Sequence, residues 1–172
     1  MKAPVLINWS FCIIGIMKGD GVWSLCECSL NWINENLEKG STILEFGSGY
    51  GTMDLTENYT VYSVEHDRGF VGLDPKSNYI YAPLQSNLWY NQERVFKDLP
   101  EEYDLMIIDG PNGNRNNILL YADRLNWDIP VIVDDVHWQT GTKMAKYIEK
   151  KFNKELSIAE CKNGTKSFGI LI

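Results

Sequence analysis

The chain has 172 residues, with 16 Lys+Arg against 23 Asp+Glu for a net charge of −7, and is 44% hydrophobic and 23% charged. That length makes one domain with its own core, and that composition excludes long disorder, a collagen-like fibre and a coiled coil. The acidic balance weighs against a nucleic-acid partner, because that affinity comes from clustered Lys and Arg displacing counterions.

Within residues 1–20 the apolar run is broken by Asn8 and Ser10, and its longest clean stretch, Phe11 to Met17, is too short to span a bilayer. This segment reads as an extension or lid, an appended strand rather than a signal peptide, ahead of a domain over 21–172. Trp23, Leu25, Leu30, Ile33 and Leu37 recur at helical spacing, predicting a helix over Val22 to Leu37 that stops before Gly40. A strand over Thr42 to Phe46 runs into Gly47-Ser48-Gly49-Tyr50-Gly51-Thr52. Two further strands, Thr60 to Val64 and Tyr79 to Ala82, end on Glu65-His66-Asp67 and Pro83, with only short crossovers between these three strands.

Asn91 to Leu99 is predicted helical. Tyr103 to Ile108 is a near-continuous apolar run, the pattern of a strand buried on both faces, and it stops at Asp109-Gly110-Pro111. A helix over Asn116 to Leu125 leads to a buried strand, Pro130 to Val133, that ends on Asp134-Asp135. A helix over Thr142 to Phe152 follows. The last two strands, Leu156 to Glu160 and Ser167 to Ile172, flank Asn163-Gly164, a hairpin signal, so the last strand must run antiparallel. The predicted fold is α/β, a Rossmann-like three-layer sandwich on a seven-stranded, mostly parallel sheet.

The four cysteines, Cys12, Cys26, Cys28 and Cys161, contain no CxxC pair and read as reduced thiols of a cytoplasmic protein, with Cys26 and Cys28 as half-buried helix residues. Every polar cluster falls at the carboxyl end of a predicted strand: Gly47 to Thr52, Glu65 to Asp67, Asp109-Gly110 and Asp134 to His137. In an open parallel sheet these ends form one ligand crevice. Glycines after the first strand let the backbone approach a ligand, and Glu65 is spaced to accept hydrogen bonds from ribose hydroxyls. The spacing G-x-G-x-G puts Thr52 where a dinucleotide fingerprint wants glycine or alanine, which ranks a nucleotide-dependent oxidoreductase last.

The run Ile43-Leu44-Glu45-Phe46-Gly47-Ser48-Gly49-Tyr50-Gly51-Thr52 resembles the first motif of class I S-adenosylmethionine-dependent methyltransferases, and Tyr62-Ser63-Val64-Glu65-His66-Asp67 resembles their acidic second motif. YSVEHD, YIYAPL, WYN, YDLMIIDGP, PVIVDDVHW and SFGILI together resemble a group of small bacterial and viral methyltransferase-like proteins. The resemblance implies S-adenosyl-L-methionine as cofactor, with Gly47, Ser48, Gly49 and Gly51 around its methionine part and Glu45 towards its amino group. It implies Glu65 on the ribose, with His66 and the turn Ala82-Pro83-Leu84 flanking the adenine. Trp89 is a further stacking candidate, with a core role as the plainer reading.

Carboxylates crowded at adjacent strand ends repel unless a cation sits between them. A hard divalent ion such as Mg²⁺ is therefore expected at Asp109, Asp134 and Asp135, an arrangement that resembles metal-dependent O-methyltransferases acting on catechols and sugars. Asp109 would otherwise orient the cofactor, and Asp134 and Asp135 would cap the following helix or turn. With Asp109, Asp134 and His137 as catalytic residues and His137 as base, the expected reaction is O-methylation of a small-molecule or glycan hydroxyl. The rival is a non-catalytic cofactor-binding or interaction module. The six tryptophans and the apolar N-terminus leave room for a homodimer contact or a lid.

Overall fold

The computed structural model describes residues 24–161 and 166–172. The extension over 1–20, Cys12 and the Asn163-Gly164 turn lie outside them. Seven strands form one sheet in the order β3-β2-β1-β4-β5-β7-β6, namely β1 (Thr42–Phe46), β2 (Thr60–Glu65), β3 (Asn78–Tyr81), β4 (Leu105–Ile108), β5 (Val131–Val133), β6 (Leu156–Glu160) and β7 (Ser167–Leu171). The pairs β3-β2, β2-β1, β1-β4 and β4-β5 are parallel, and β7 lies antiparallel between β5 and β6, as the terminal hairpin required. Strand order reverses between β1 and β4, which puts a crevice at their carboxyl ends.

The pleat divides the core into two layers. Leu44, Phe46, Met106, Ile108, Val131 and Val133 face one way, against α3 (Gln92–Asp98) and α4 (Gln139–Phe152), while Ile43, Leu105, Ile107 and Ile132 face α1 (Glu27–Asn36) and α2 (Tyr50–Leu55). Every residue of β4 and β5 is buried, as continuous apolar runs in a two-sided sheet demand.

Several element bounds depart from the sequence reading. The first helix starts at Glu27, not Val22, because Cys26 is extended (φ −72°, ψ 150°) and its Sγ accepts the Ser29 N–H at 3.3 Å as an N-cap. The crossover from β1 to β2 contains α2, a six-residue helix beginning directly after the glycine cluster. The segment Arg115–Arg124 is 3-10 with a kink at Tyr121 (φ −122°), not a regular α-helix. Asn114 accepts the Asn117 N–H at 3.0 Å, and Trp127 Nε1 takes the Ala122 carbonyl at 2.7 Å, so local partners replace the i→i+4 ladder. The last helix starts three residues earlier than expected, at Gln139. Cys26, Cys28 and Cys161 are free thiols.

Candidate active site

The crevice floor is made by two glycines in contact. Gly47 has φ +91°, and a Cβ there would stand 2.6 Å from Gly110 N and 2.8 Å from Gly110 Cα. The same approach is held by Gly110 N–H and Asp109 N–H, which donate to Phe46 O at 2.6 and 2.9 Å. Above this floor opens a cleft of about 670 Å³, in the range that suits a small ligand or cofactor. Its wall includes Gly47, Ser48, Glu65, His66, Asp109, Asp134, Asp135 and His137, all singled out from the sequence.

Glu65 is nearly buried and saturated by the protein. Oε1 accepts the His66 and Asp67 N–H groups at 2.5 and 2.6 Å, and Oε2 accepts Ser48 N–H at 2.9 Å and Ser48 Oγ at 3.3 Å. His66 Nδ1 lies 2.9 Å from Glu65 Oε1.

Glu45 lies behind the cleft, not in its wall. Its Oε2 accepts Thr52 Oγ1 and Ser63 Oγ, each at 2.8 Å, while Thr52 Oγ1 accepts the Gly49 N–H at 3.1 Å. Thr52, the residue that breaks the dinucleotide spacing, thus ties the buried acid to the glycine turn. Burial raises the Glu45 pKa from 4.5 to about 7 against the two hydroxyl bonds, with Glu65 adding repulsion. The folded state then keeps a proton that the unfolded chain releases above about pH 4.5, so stability falls as pH rises towards 7. At about 1.4 kcal/mol per pH unit the loss is about 3 kcal/mol. Glu45→Gln is expected to remove that slope, which urea midpoints at about pH 5 and about pH 8 would read; parallel slopes in both proteins would refute the assignment.

At the other end, oxygens of Asp109, Asp134 and Asp135 converge within 4.8 Å of one another, as expected for a cation site. A cation is already there, and it is Arg115. Its Nη1 donates to Asp134 O at 2.9 Å and its Nη2 to Asp135 Oδ2 at 3.1 Å, with Asp109 Oδ1 3.6 Å away. The donor set alone would suit a hard divalent ion, but an ion at this point competes with the guanidinium for the Asp135 and Asp109 oxygens. The residues therefore do not fit Mg²⁺ with Arg115 in place. Burial first, and then the neighbouring carboxylates, push Asp109 well above the usual carboxylate range and raise Asp134; Arg115 lowers both. Asp134 Oδ1 is buried without a hydrogen-bond partner among the described residues, and His137 Nδ1 stands 3.9 Å from Asp135 Oδ1. Neither acid caps α4 by side chain, since its N-cap is Trp138.

Some expected contacts are absent from the cleft wall. Ala82 is fully buried in the core, Leu84 lies at an outer turn bridged to Tyr90, Gly49 precedes α2, and Gly51 packs on Leu25. Trp89 is core, 5.6 Å from the Phe46 ring. Its neighbour Tyr90 faces the cleft instead. That hydroxyl is buried without a partner among the described residues, and burial followed by the Glu65 and Asp109 charges pushes its pKa well above 10, so it remains a donor. Arg115, Lys166, Phe70 and Trp138 also line the cleft without having been foreseen, and Lys166 Nζ donates to Ser24 O at 2.7 Å. One signal for Arg115 was present: it is the sole basic residue between Asp109 and Arg124.

No family model matches the sequence, and no curated protein matches it. Solved structures do. The precorrin-6Y C5,15-methyltransferase of Geobacter metallireducens GS-15 matches with TM-score 0.59 at 16% identity, covering 84% of this chain and 84% of that one. A methyltransferase of Pyrococcus furiosus gives 0.57 at 18% identity over 84% and 80% of the two chains. The M1A22 tRNA methyltransferase of B. subtilis gives 0.52 at 16%, over 83% of this chain and 63% of its own. The chain has the class I S-adenosylmethionine-dependent methyltransferase fold. No helix of the described residues is long and apolar enough to cross a membrane.

Proposed function

We propose that the chain is an S-adenosylmethionine-dependent methyltransferase acting on a hydroxyl group of a small molecule or glycan. The observation that carries this reading is the cleft at the switch point of a methyltransferase sheet, whose wall holds Glu65 at one end and His137 with three aspartates at the other. A predominantly acidic lining also suits a cofactor that carries sulfonium and ammonium charges. When bound, the cofactor supplies an electrophilic methyl group on a good leaving group.

The fit rests on the floor and on unspent donors. Gly47 and Gly110 leave backbone where any side chain would fill the space, and Tyr90 offers a free O–H between Glu65 and Asp109. Glu65 would hold the ribose, a hydroxyl replacing the longest of its four bonds, that from Ser48 Oγ. His66 and Phe70 would flank the adenine. Gly47 and Ser48 would meet the methionine part, with Asp109 orienting it.

For transfer, His137, whose Nδ1 stands 3.9 Å from Asp135 Oδ1, would offer Nε2 to the acceptor. His137 Nε2 would take the proton of the acceptor hydroxyl as that oxygen attacks, the bound cofactor supplying the methyl group and leaving as a neutral thioether. Arg115 holds positive charge beside the oxygen that develops negative charge, the task a metal performs elsewhere. The reaction is accordingly expected to survive EDTA.

The test is calorimetric titration of the full chain with S-adenosylmethionine, and then cofactor turnover across hydroxyl acceptors with and without EDTA. Glu65→Ala is expected to weaken binding by about 100-fold, since it removes the carboxylate proposed to take a ribose hydroxyl. Unchanged affinity would refute the cofactor site. Tight binding with no turnover on any acceptor would favour the binding-module reading.

A further inference from the structure

Beyond the aspartate cluster a second cleft of about 340 Å³ opens, bounded by Asn112, Asn116, Trp138, Gln139 and Thr140. It shares Asn112, Arg115, Asp135 and Trp138 with the larger cleft, so the two spaces meet at the aspartate cluster. We propose that this smaller cleft seats the methyl acceptor and that the acceptor is a neutral, polyhydroxylated ring of the sugar class, stacked on Trp138. The inference rests on the methyltransferase reading for its reaction, but the seat itself stands on three observations.

The first is Trp138. Its indole is 64% exposed, whereas Trp32, Trp89 and Trp127 are buried. Its backbone is pinned from both sides: Trp138 N–H donates to Asp135 O at 3.1 Å, and Trp138 O accepts the Thr142 N–H at 3.0 Å. A large flat side chain on a fixed backbone presents apolar area at small entropic cost. The C–H face of a pyranose is the complementary surface.

The second is the chemistry around it. Asn112, Asn116, Gln139 and Thr140 are exposed, uncharged and without a side-chain hydrogen-bond partner among the described residues. Amides and hydroxyls both donate and accept, which matches a ligand whose every hydroxyl does the same. The third is charge. Arg115 is the single basic residue of this lining, and it is committed to Asp135 and to the Asp134 carbonyl. A phosphate-bearing ligand finds no free cation here among the described residues, and the net charge of −7 repels a polyanion.

The experiment exposes the full chain to a glycan array of neutral hexoses, deoxyhexoses and N-acetylhexosamines, with uridine and hexauridylate as competitors, and follows hits by tryptophan fluorescence. The expected result is saturable quenching by a neutral sugar that is lost in Trp138→Ala. Asn116→Ala with Gln139→Ala should weaken the same sugar by about tenfold while cofactor affinity stays within about twofold. Sugar binding that ignores Trp138→Ala, or absence of any sugar hit, overturns the proposal, and so does tighter binding of uridine or hexauridylate. The two readings fail separately. Cofactor binding without sugar binding refutes the seat alone, and sugar binding without cofactor binding refutes the methyltransferase reading alone.

Discussion

Gly47→Val is expected to lower S-adenosylmethionine affinity by at least about 100-fold, or about 2.7 kcal/mol, in a protein that still unfolds cooperatively. Two costs coincide at this residue. Its φ of +91° is a left-handed conformation that a β-branched side chain resists, and its Cβ would meet the Gly110 backbone at 2.6 and 2.8 Å. Backbone cannot rotate aside as a long side chain can, so the ends of β1 and β4 must part. That separation breaks the Phe46 carbonyl bonds to Asp109 and Gly110 and draws Ser48 from Glu65, which stands 2.9 Å from its N–H. Gly40→Ala separates strain from crowding: φ there is +90° but nothing lies within 4 Å of the added carbon. It should cost about 1 kcal/mol of stability and leave affinity unchanged. Equal affinity losses in the two variants, or none in Gly47→Val, would remove Gly47 from the cofactor site.

The sheet was legible because its signals are local. Runs such as Leu105–Ile108 and Val131–Val133 are apolar at every position only when both faces are covered, and each polar cluster marks where such a run leaves the sheet. The acids Glu65, Asp109, Asp134 and Asp135 therefore fall in one crevice on the sequence alone. What stayed hidden depends on how loops fold back. Trp89 and Tyr90 are adjacent aromatics, and composition gives no way to choose between them. The turn settles it: Gln85 N–H donates to Trp89 O at 2.8 Å and Asn91 N–H to Pro83 O at 2.9 Å. That pairing sends the indole towards Phe46 and the phenol towards Gly110. The resemblance puts the turn Ala82-Pro83-Leu84 beside the adenine, and within that turn Ala82 is itself fully buried. Arg115 was missed for a related reason. Three acids at neighbouring strand ends rightly implied a cation, but a 3-10 turn twenty residues before Asp135 delivers that cation from within the chain.

Arg115→Met is the decisive variant for that substitution of guanidinium for metal. Methionine keeps much of the stem and removes the charge, leaving Asp109, Asp134 and Asp135 to repel one another. Because the pairs are partly open to the cleft, the stability loss at neutral pH is expected to be about 2 kcal/mol, below that of a fully buried pair. The sign with pH is fixed by the direction of the shifts. Asp109 and Asp134 already titrate above the ordinary 3.8, and Arg115 holds both down. Without it their folded-state pKa values climb further, so the deficit grows as pH rises through the native chain's already raised Asp109 and Asp134 pKa values and is smallest in acid, where both folded chains hold those protons. Turnover should fall by about 100-fold or more, and Arg115→Lys should restore little of it, since an ammonium cannot reach the Asp134 carbonyl and Asp135 together as the fork does. The thermal midpoint of the native chain should not respond to millimolar Mg²⁺, whereas Arg115→Met should be stabilised by it, the freed oxygens now offering a divalent site. Stabilisation of the native chain by Mg²⁺ would show that metal and guanidinium coexist, and the metal-independent reading would fall.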